Sequence, residues 1–266
     1  MVLACIANTL VPDQCTYQRL NPAGQVVQRL RNHVSRPRES QVIIIHGSDR
    51  KSFYQQHPMS LTRRNLKLYL YLGLSLTVLF AVVYGGSNWF NSDRGHYFRL
   101  YFPWEFTIPF IAPMILAYLS LQLLFLLPLF HCDRNALLLL AKRMAAAIPV
   151  AGIIFLLLPT QLGFARQGTA SFYAPFYDIL YTLDRPHNLF PSLHVTLGTL
   201  VVASLLHRVR GILLWLYIPW LLLLYLSVLL VHQHHVADIA GGIVLAILVV
   251  RWLPEPEYSG YAHSSA

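Results

Sequence analysis

The chain has 266 residues, of which 56% are hydrophobic and only 12% charged, and its formal net charge is +9. A soluble domain carries about 25% charged residues, so an ordinary water-soluble globule is excluded. The three cysteines, Cys5, Cys15 and Cys132, are odd in number and scattered, which excludes a disulfide framework and a zinc knuckle.

Residues 1–65 read as a polar, basic, loosely ordered cytoplasmic segment. Up to residue 67 there are ten Lys or Arg against three acids. Arg63, Arg64 and Lys67 precede an apolar run, so the charge is the flank of a membrane helix and not a nucleic-acid-binding tail. The run "QVIIIHG" is an isolated apolar patch in this segment. The start, "MVLACIANTLV", lacks a basic leader, and no cleaved signal is expected.

Six apolar runs follow, at about 68–86, 106–130, 142–159, 191–207, 212–232 and 236–253, leaving a short tail at 254–266. A bilayer is crossed by roughly 20 apolar residues, and only helices keep every backbone group bonded in lipid when no barrel is available. The expected fold is therefore all-α, an integral membrane bundle of six transmembrane helices over 66–253. Lys142 and Arg143 open the third run and are expected to snorkel to the interface. Pro191 is expected at the first helical position of the fourth, with Asn188 or a neighbour as cap.

Basic residues favour cytoplasmic loops. Arg134, Lys142, Arg143, Arg208, Arg210 and Arg251 mark one side. Loops 87–105, 160–190 and the turn "HQHH" mark the other, with aromatics such as Trp89, Phe90, Tyr97, Phe102 and Trp104 at that boundary. Both termini are then cytoplasmic, and "RPHNLFPSLH" and "HQHHVAD" head two neighbouring helices on the outer face.

These two clusters carry the chemistry. The free N–H groups of a helix's first turn, with the dipole's positive end, attract anions. Ser192 adds a hydroxyl and Arg185 a planar fork suited to phosphate oxygens. His194, in the same turn, moves protons near neutral pH. His234 and Asp238 are four apart and share a helical face, so the carboxylate can fix the imidazole tautomer and raise its nucleophilicity. An ionisable residue such as Asp238 at the head of an apolar helix is a functional candidate by default. Gly241 and Gly242 would let another helix approach closely.

With these residues in view, the chain resembles the type 2 phosphatidic acid phosphatase family. The family's Arg-Pro is Arg185-Pro186, its Pro-Ser-Gly-His is Pro191 to His194 with Leu193 for Gly, and its last motif is Ser227, His234 and Asp238 in "SVLLVHQHHVAD". Two family phosphate ligands are replaced, by Asp178 and Val228. "FPSLHV" and "HHVAD" look more like the branch that includes inositol phosphorylceramide synthases. The resemblance implies His234 as nucleophile, Asp238 as its orienting partner and His194 as acid and base. It also implies Arg185, Ser192 and Ser227 as phosphate ligands, with no metal and no other cofactor. Arg94, Arg99, Arg166 and Tyr177 could supply missing charge or hydroxyls, and Asp178, Arg166 and Tyr177 are the further candidates for substrate contact.

The expected function is hydrolysis of a membrane lipid phosphate or pyrophosphate, in a bacterial inner membrane with the site on the periplasmic face. One alternative is transfer of a phosphoryl headgroup to an alcohol. Others, of different classes, are a His/Asp proton relay or transporter and a cytochrome with His194 and His234 as axial ligands.

Overall fold

In the computed structural model the described residues are 5–7, 15–20, 26–30, 63–168, 172–184, 186–206, 208–209 and 211–255. The chain divides into two compact units, Met1–Ser60 and Leu61–Ala266.

In the first unit three short strands, β1 (Cys5–Ala7), β2 (Cys15–Leu20) and β3 (Val26–Leu30), pair antiparallel in that order. The pairing sets Tyr17 opposite Arg29 and Leu20 opposite Val26. Thr16, Tyr17, Val26 and Val27 are strand formers. Sequence reading finds no period here because each strand is too short to show one. The patch "QVIIIHG" lies outside the described residues.

The second unit is helical. Four of its helices are long and apolar enough to cross a membrane: Asn65–Asn91, Met114–His131, Arg134–Leu157 and Ile212–Leu230. The chain is accordingly a membrane protein. The first of these is a continuous rod made of α1 (Arg63–Phe80), a π-helical turn (Ala81–Gly85) and α2 (Gly86–Asn91).

The second expected run does not begin at residue 106. Pro103–Thr107 is a 3-10 turn, and the helix starts only at Met114, after Pro109 and Pro113. It is then broken into α3 (Met114–Leu119), α4 (Leu121–Leu124) and α5 (Leu127–His131). The third run starts eight residues early, as α6 (Arg134–Leu157), because Asp133 caps it by accepting the Ala136 N–H at 2.8 Å. Arg143 is buried and does not snorkel: its Nε donates to the Leu253 carbonyl at 3.0 Å.

A short outer helix, α7 (Ala174–Leu183), is followed by α8 (Leu193–Leu205), α9 (Ile212–Leu230) and α10 (Val236–Trp252). With 13 residues α8 runs for about 20 Å, and with 17 residues α10 runs for about 26 Å. Both fall short of a hydrocarbon core of about 30 Å. The polar run before Ser192 delays the start of α8, and Gly211, at φ 62°, lies beyond its far end.

α8 is apolar all round because it is the central helix. Leu193, Val195, Leu200, Val201 and Leu205 are buried among α4, α5, α6, α9 and α10. At the end of the bundle away from the loops, Glu255 pairs with Arg208 at 2.9 Å and approaches Arg143 at 4.0 Å. At the other end, Asn188 ties the elements together. It donates to the Tyr84 carbonyl and to Ser87 Oγ, both at 2.9 Å, and accepts from Asn91 Nδ2 at 3.1 Å. That end holds the heads of α8 and α10.

Candidate active site

The turn from α9 to α10 takes five residues. His232 adopts the left-handed region, φ 54°, and the Gln233 and His234 N–H groups both bond the Val228 carbonyl at 3.1 Å. The chain thus reverses and presents its histidines in different directions. His232 Nε2 is 3.0 Å from the Ile108 carbonyl, and its ring stacks on Phe164 at 4.0 Å. Burial pushes its imidazole below the usual histidine range. His235 accepts the Gly163 N–H on Nε2 at 3.0 Å, so Nδ1 carries the proton and donates to Glu105 at 2.8 Å. Among the described residues no three His, Cys, Asp or Glu side chains converge as a metal site would need.

His234 takes a third direction. Its Nδ1 lies 3.4 Å from Asp238 Oδ2, which also accepts the His235 N–H at 2.8 Å. Asp238 is buried at the first turn of α10, where the helix dipole favours its negative charge. An Nδ1–H donated to that carboxylate leaves the Nε2 lone pair of His234 available. The contact is long for a hydrogen bond.

α8 begins two residues later than expected. Ser192 is its N-cap, accepting the Val195 N–H at 3.4 Å, so Pro191 stands before the helix and Asn188 serves as the polar tie described above. The Ser192 N–H donates to the Asp238 carbonyl at 3.0 Å, which binds the head of α8 to the head of α10. This approach needs glycine on α10. A Cβ on Gly242 would lie 2.6 Å from the Ser192 carbonyl oxygen, and one on Gly241 would lie 2.4 Å from the Phe190 ring.

His194 projects from the first turn of α8 and stacks on Tyr118 of α3, ring centroids 4.1 Å apart. Its Nε2 is buried and has no hydrogen-bond partner among the described residues. Leaving such a group unpaired costs about 1–3 kcal/mol.

His194 and His234 line one cavity of about 710 Å³, together with Asp184, Tyr84 and Tyr118. Below this polar end the walls are apolar, including Leu72, Leu76, Phe80, Leu121, Phe125 and Met144. Along the first rod the lining runs from Tyr84 in the π-helical turn back to Tyr69 in α1, fifteen residues or about 22 Å of helix.

Asp184 and Tyr84 carry no motif and escape sequence reasoning. Tyr84 Oη donates to Asp184 Oδ1. Burial raises the Asp184 carboxyl above its usual range, opposed by that hydrogen bond and by nearby His234 and Arg166. Arg166 donates to the Tyr181 carbonyl at 2.8 Å and to the Asp184 carbonyl, so its fork is engaged by the backbone of α7 and its end. Glu105 is also missed. It is fully buried and accepts from His235, from the Val236 N–H at 3.1 Å and from the Phe102 N–H at 3.0 Å. Its only signal in the sequence is an acid set in the aromatic run "FPWEF".

Among the described residues the other candidates do not line the cavity. Ser192 is buried in its capping role, and Ser227 is buried within α9, donating to the Leu224 carbonyl at 2.7 Å. Tyr177 is buried and donates to the Ala112 carbonyl at 3.1 Å. Asp178 is exposed on α7. Arg94 donates to the Leu156 carbonyl at 2.6 Å. Arg185 lies outside the described residues.

Compared with family models, with curated proteins and with solved structures, the chain matches none.

Proposed function

We propose that the chain is an integral-membrane phosphatase that hydrolyses a lipid phosphate or pyrophosphate through a phosphohistidine on His234. One observation carries the reading. His194, with a buried Nε2 that no described residue bonds, and His234, backed by Asp238, line the polar end of one long apolar cavity. A phosphate at that end and a hydrocarbon chain below it match the two halves of the lining.

In this reading the Nε2 lone pair of His234 attacks phosphorus, and the bond from phosphorus to the lipid oxygen breaks. His194 gives its proton to the departing alkoxide. His194 then takes a proton from water, whose oxygen attacks the phosphohistidine and releases phosphate, leaving His234 neutral again. Asp238 holds the Nδ1–H throughout and stabilises the charged imidazole. Arg185 and the N–H groups at the head of α8 are assigned to the phosphate oxygens. The positive-inside pattern assigns both termini to the cytoplasm and the site to the outer face of a bacterial inner membrane, with α8 and α10 as the fourth and sixth spanning helices.

A second reading, transfer of the phosphoryl headgroup to an alcohol, is favoured by one feature. His234 is buried, and so is the reactive nitrogen of His194, which suits an acceptor arriving from the bilayer. The test is a screen of phosphorylated lipids with purified protein in detergent, following free phosphate and new headgroup-bearing lipid together. Phosphate release lost by at least about a thousandfold in His234→Ala and kept within about threefold in His232→Asn supports hydrolysis at His234. Headgroup transfer without phosphate release selects the second reading. Equal loss in both variants contradicts the assignment of His234.

A further inference from the structure

The cavity is apolar below its histidines, yet three polar side chains line that deeper part: Tyr69, Thr77 and Gln122. Two of them are occupied. Tyr69 donates to the Phe125 carbonyl at 3.0 Å, and Thr77 donates to the Gly73 carbonyl at 2.9 Å. Gln122 differs. It stands on α4, within an apolar stretch long enough to cross a membrane, it is exposed, and it makes no hydrogen bond to another described residue. A primary amide with two donors is costly in a hydrocarbon setting unless something pairs with it.

Its depth is informative. Gln122 follows Tyr118 by four residues, about 6 Å further along the broken helix, and both line the cavity. Tyr118 stacks on His194. The amide therefore sits one helical turn below the polar end, on the wall that a lipid held there by its phosphate would pass. In an acyl lipid the carbonyl of the ester or amide linkage comes at that level, a few bonds from phosphorus. In a polyprenyl phosphate there is only hydrocarbon.

We propose that Gln122 is the residue that selects the lipid, donating its amide N–H to the acyl carbonyl of an ester- or amide-linked lipid phosphate and disfavouring purely hydrocarbon chains. The inference rests on the reading of His194 and His234 as the phosphate end. A site built to hydrogen-bond a substrate group discriminates against the analogue that lacks it.

The test compares dioleoyl phosphatidic acid with its dioleyl ether analogue, which has the same headgroup and chains but no carbonyl. Purified wild type and Gln122→Met, which keeps side-chain volume, are assayed on both. Wild type is expected to favour the ester lipid by about tenfold in kcat/KM, one hydrogen bond's worth. Gln122→Met should lose that preference through the ester lipid alone, with ether turnover unchanged and serving as the control for folding. An ester-to-ether ratio that is the same in both proteins overturns the proposal, as does an equal fall on both lipids. Phosphate release from neither lipid by wild type defeats the reading of the site itself, and this inference with it.

Discussion

Asp184 faces the cavity with the two imidazoles, and its environment is divided. Burial opposes its ionisation, while the Tyr84 hydroxyl, His234 and Arg166 favour it, and burial dominates. A carboxyl whose pKa is higher in the folded chain than in the unfolded one binds more protons when folded. Its contribution is fully present below its ordinary value of 3.8 and is lost as pH rises through the folded value. Asp184→Asn should therefore remove a loss of stability that wild type shows as pH climbs above that ordinary value. Thermal unfolding in detergent across the acid range is the check. Parallel curves for the two proteins would mean that Asp184 titrates as an ordinary exposed carboxyl. The two residues between which His234 sits make the same point in different form: Asp238 was legible from its four-residue spacing, while Asp184, fifty positions away in the chain, becomes a neighbour only through folding.

Helices α8 and α10 position the site through one contact, and glycine makes it possible. The Ser192 N–H reaches the Asp238 carbonyl, Thr196 Oγ1 reaches the Gly242 carbonyl at 3.0 Å, and Gly241 and Gly242 leave room for both. Gly242→Ala would press a methyl onto the Ser192 backbone. We expect a loss of about 1–3 kcal/mol in stability, typical of overpacking, together with a fall in kcat, since His194 sits on α8 and His234 in the turn that leads into α10, the two helices that must separate. Unfolding and steady-state rates measure both, and full activity at unchanged stability would contradict this account of the helix contact. The "GG" pair, the turn "HQHH" and the apolar run of α9 were readable because each is a local pattern. The late start at Met114 and the cap at Asp133 also carry local signals, Pro109 with Pro113 and an N-cap carboxylate, that the apolar run masked, whereas the inward turn of Arg143 was not readable, since the distant Leu253 carbonyl decides it. Glu105 was invisible for the same reason: its partner His235 is 130 residues away.

Across the whole molecule, two ends differ in chemistry. One gathers Arg143, Arg208 and Glu255; the other gathers the Asn188 ties, Glu105 with His235, and the histidine pair. The proposed topology puts the first end in the cytoplasm. In a chain whose Cys5, Cys15 and Cys132 are replaced by Ser, Gly95→Cys should react with a membrane-impermeant thiol reagent in whole cells. Asn135→Cys should react only after the membrane is opened. The reverse pattern would invert the protein and move the site to the inner face.

The central claim, that His234 carries the phosphoryl group while His194 serves the same cavity, has a direct measurement. His194→Ala should still accept a phosphoryl group from a lipid aryl phosphate, whose leaving group needs no acid, but should fail to activate water for the second step. Rapid quenching in alkali and mass spectrometry of peptides should then find a single phosphoryl group, accumulated on His234. A phosphoryl group on another residue, or none on the protein while phosphate is released, would contradict it.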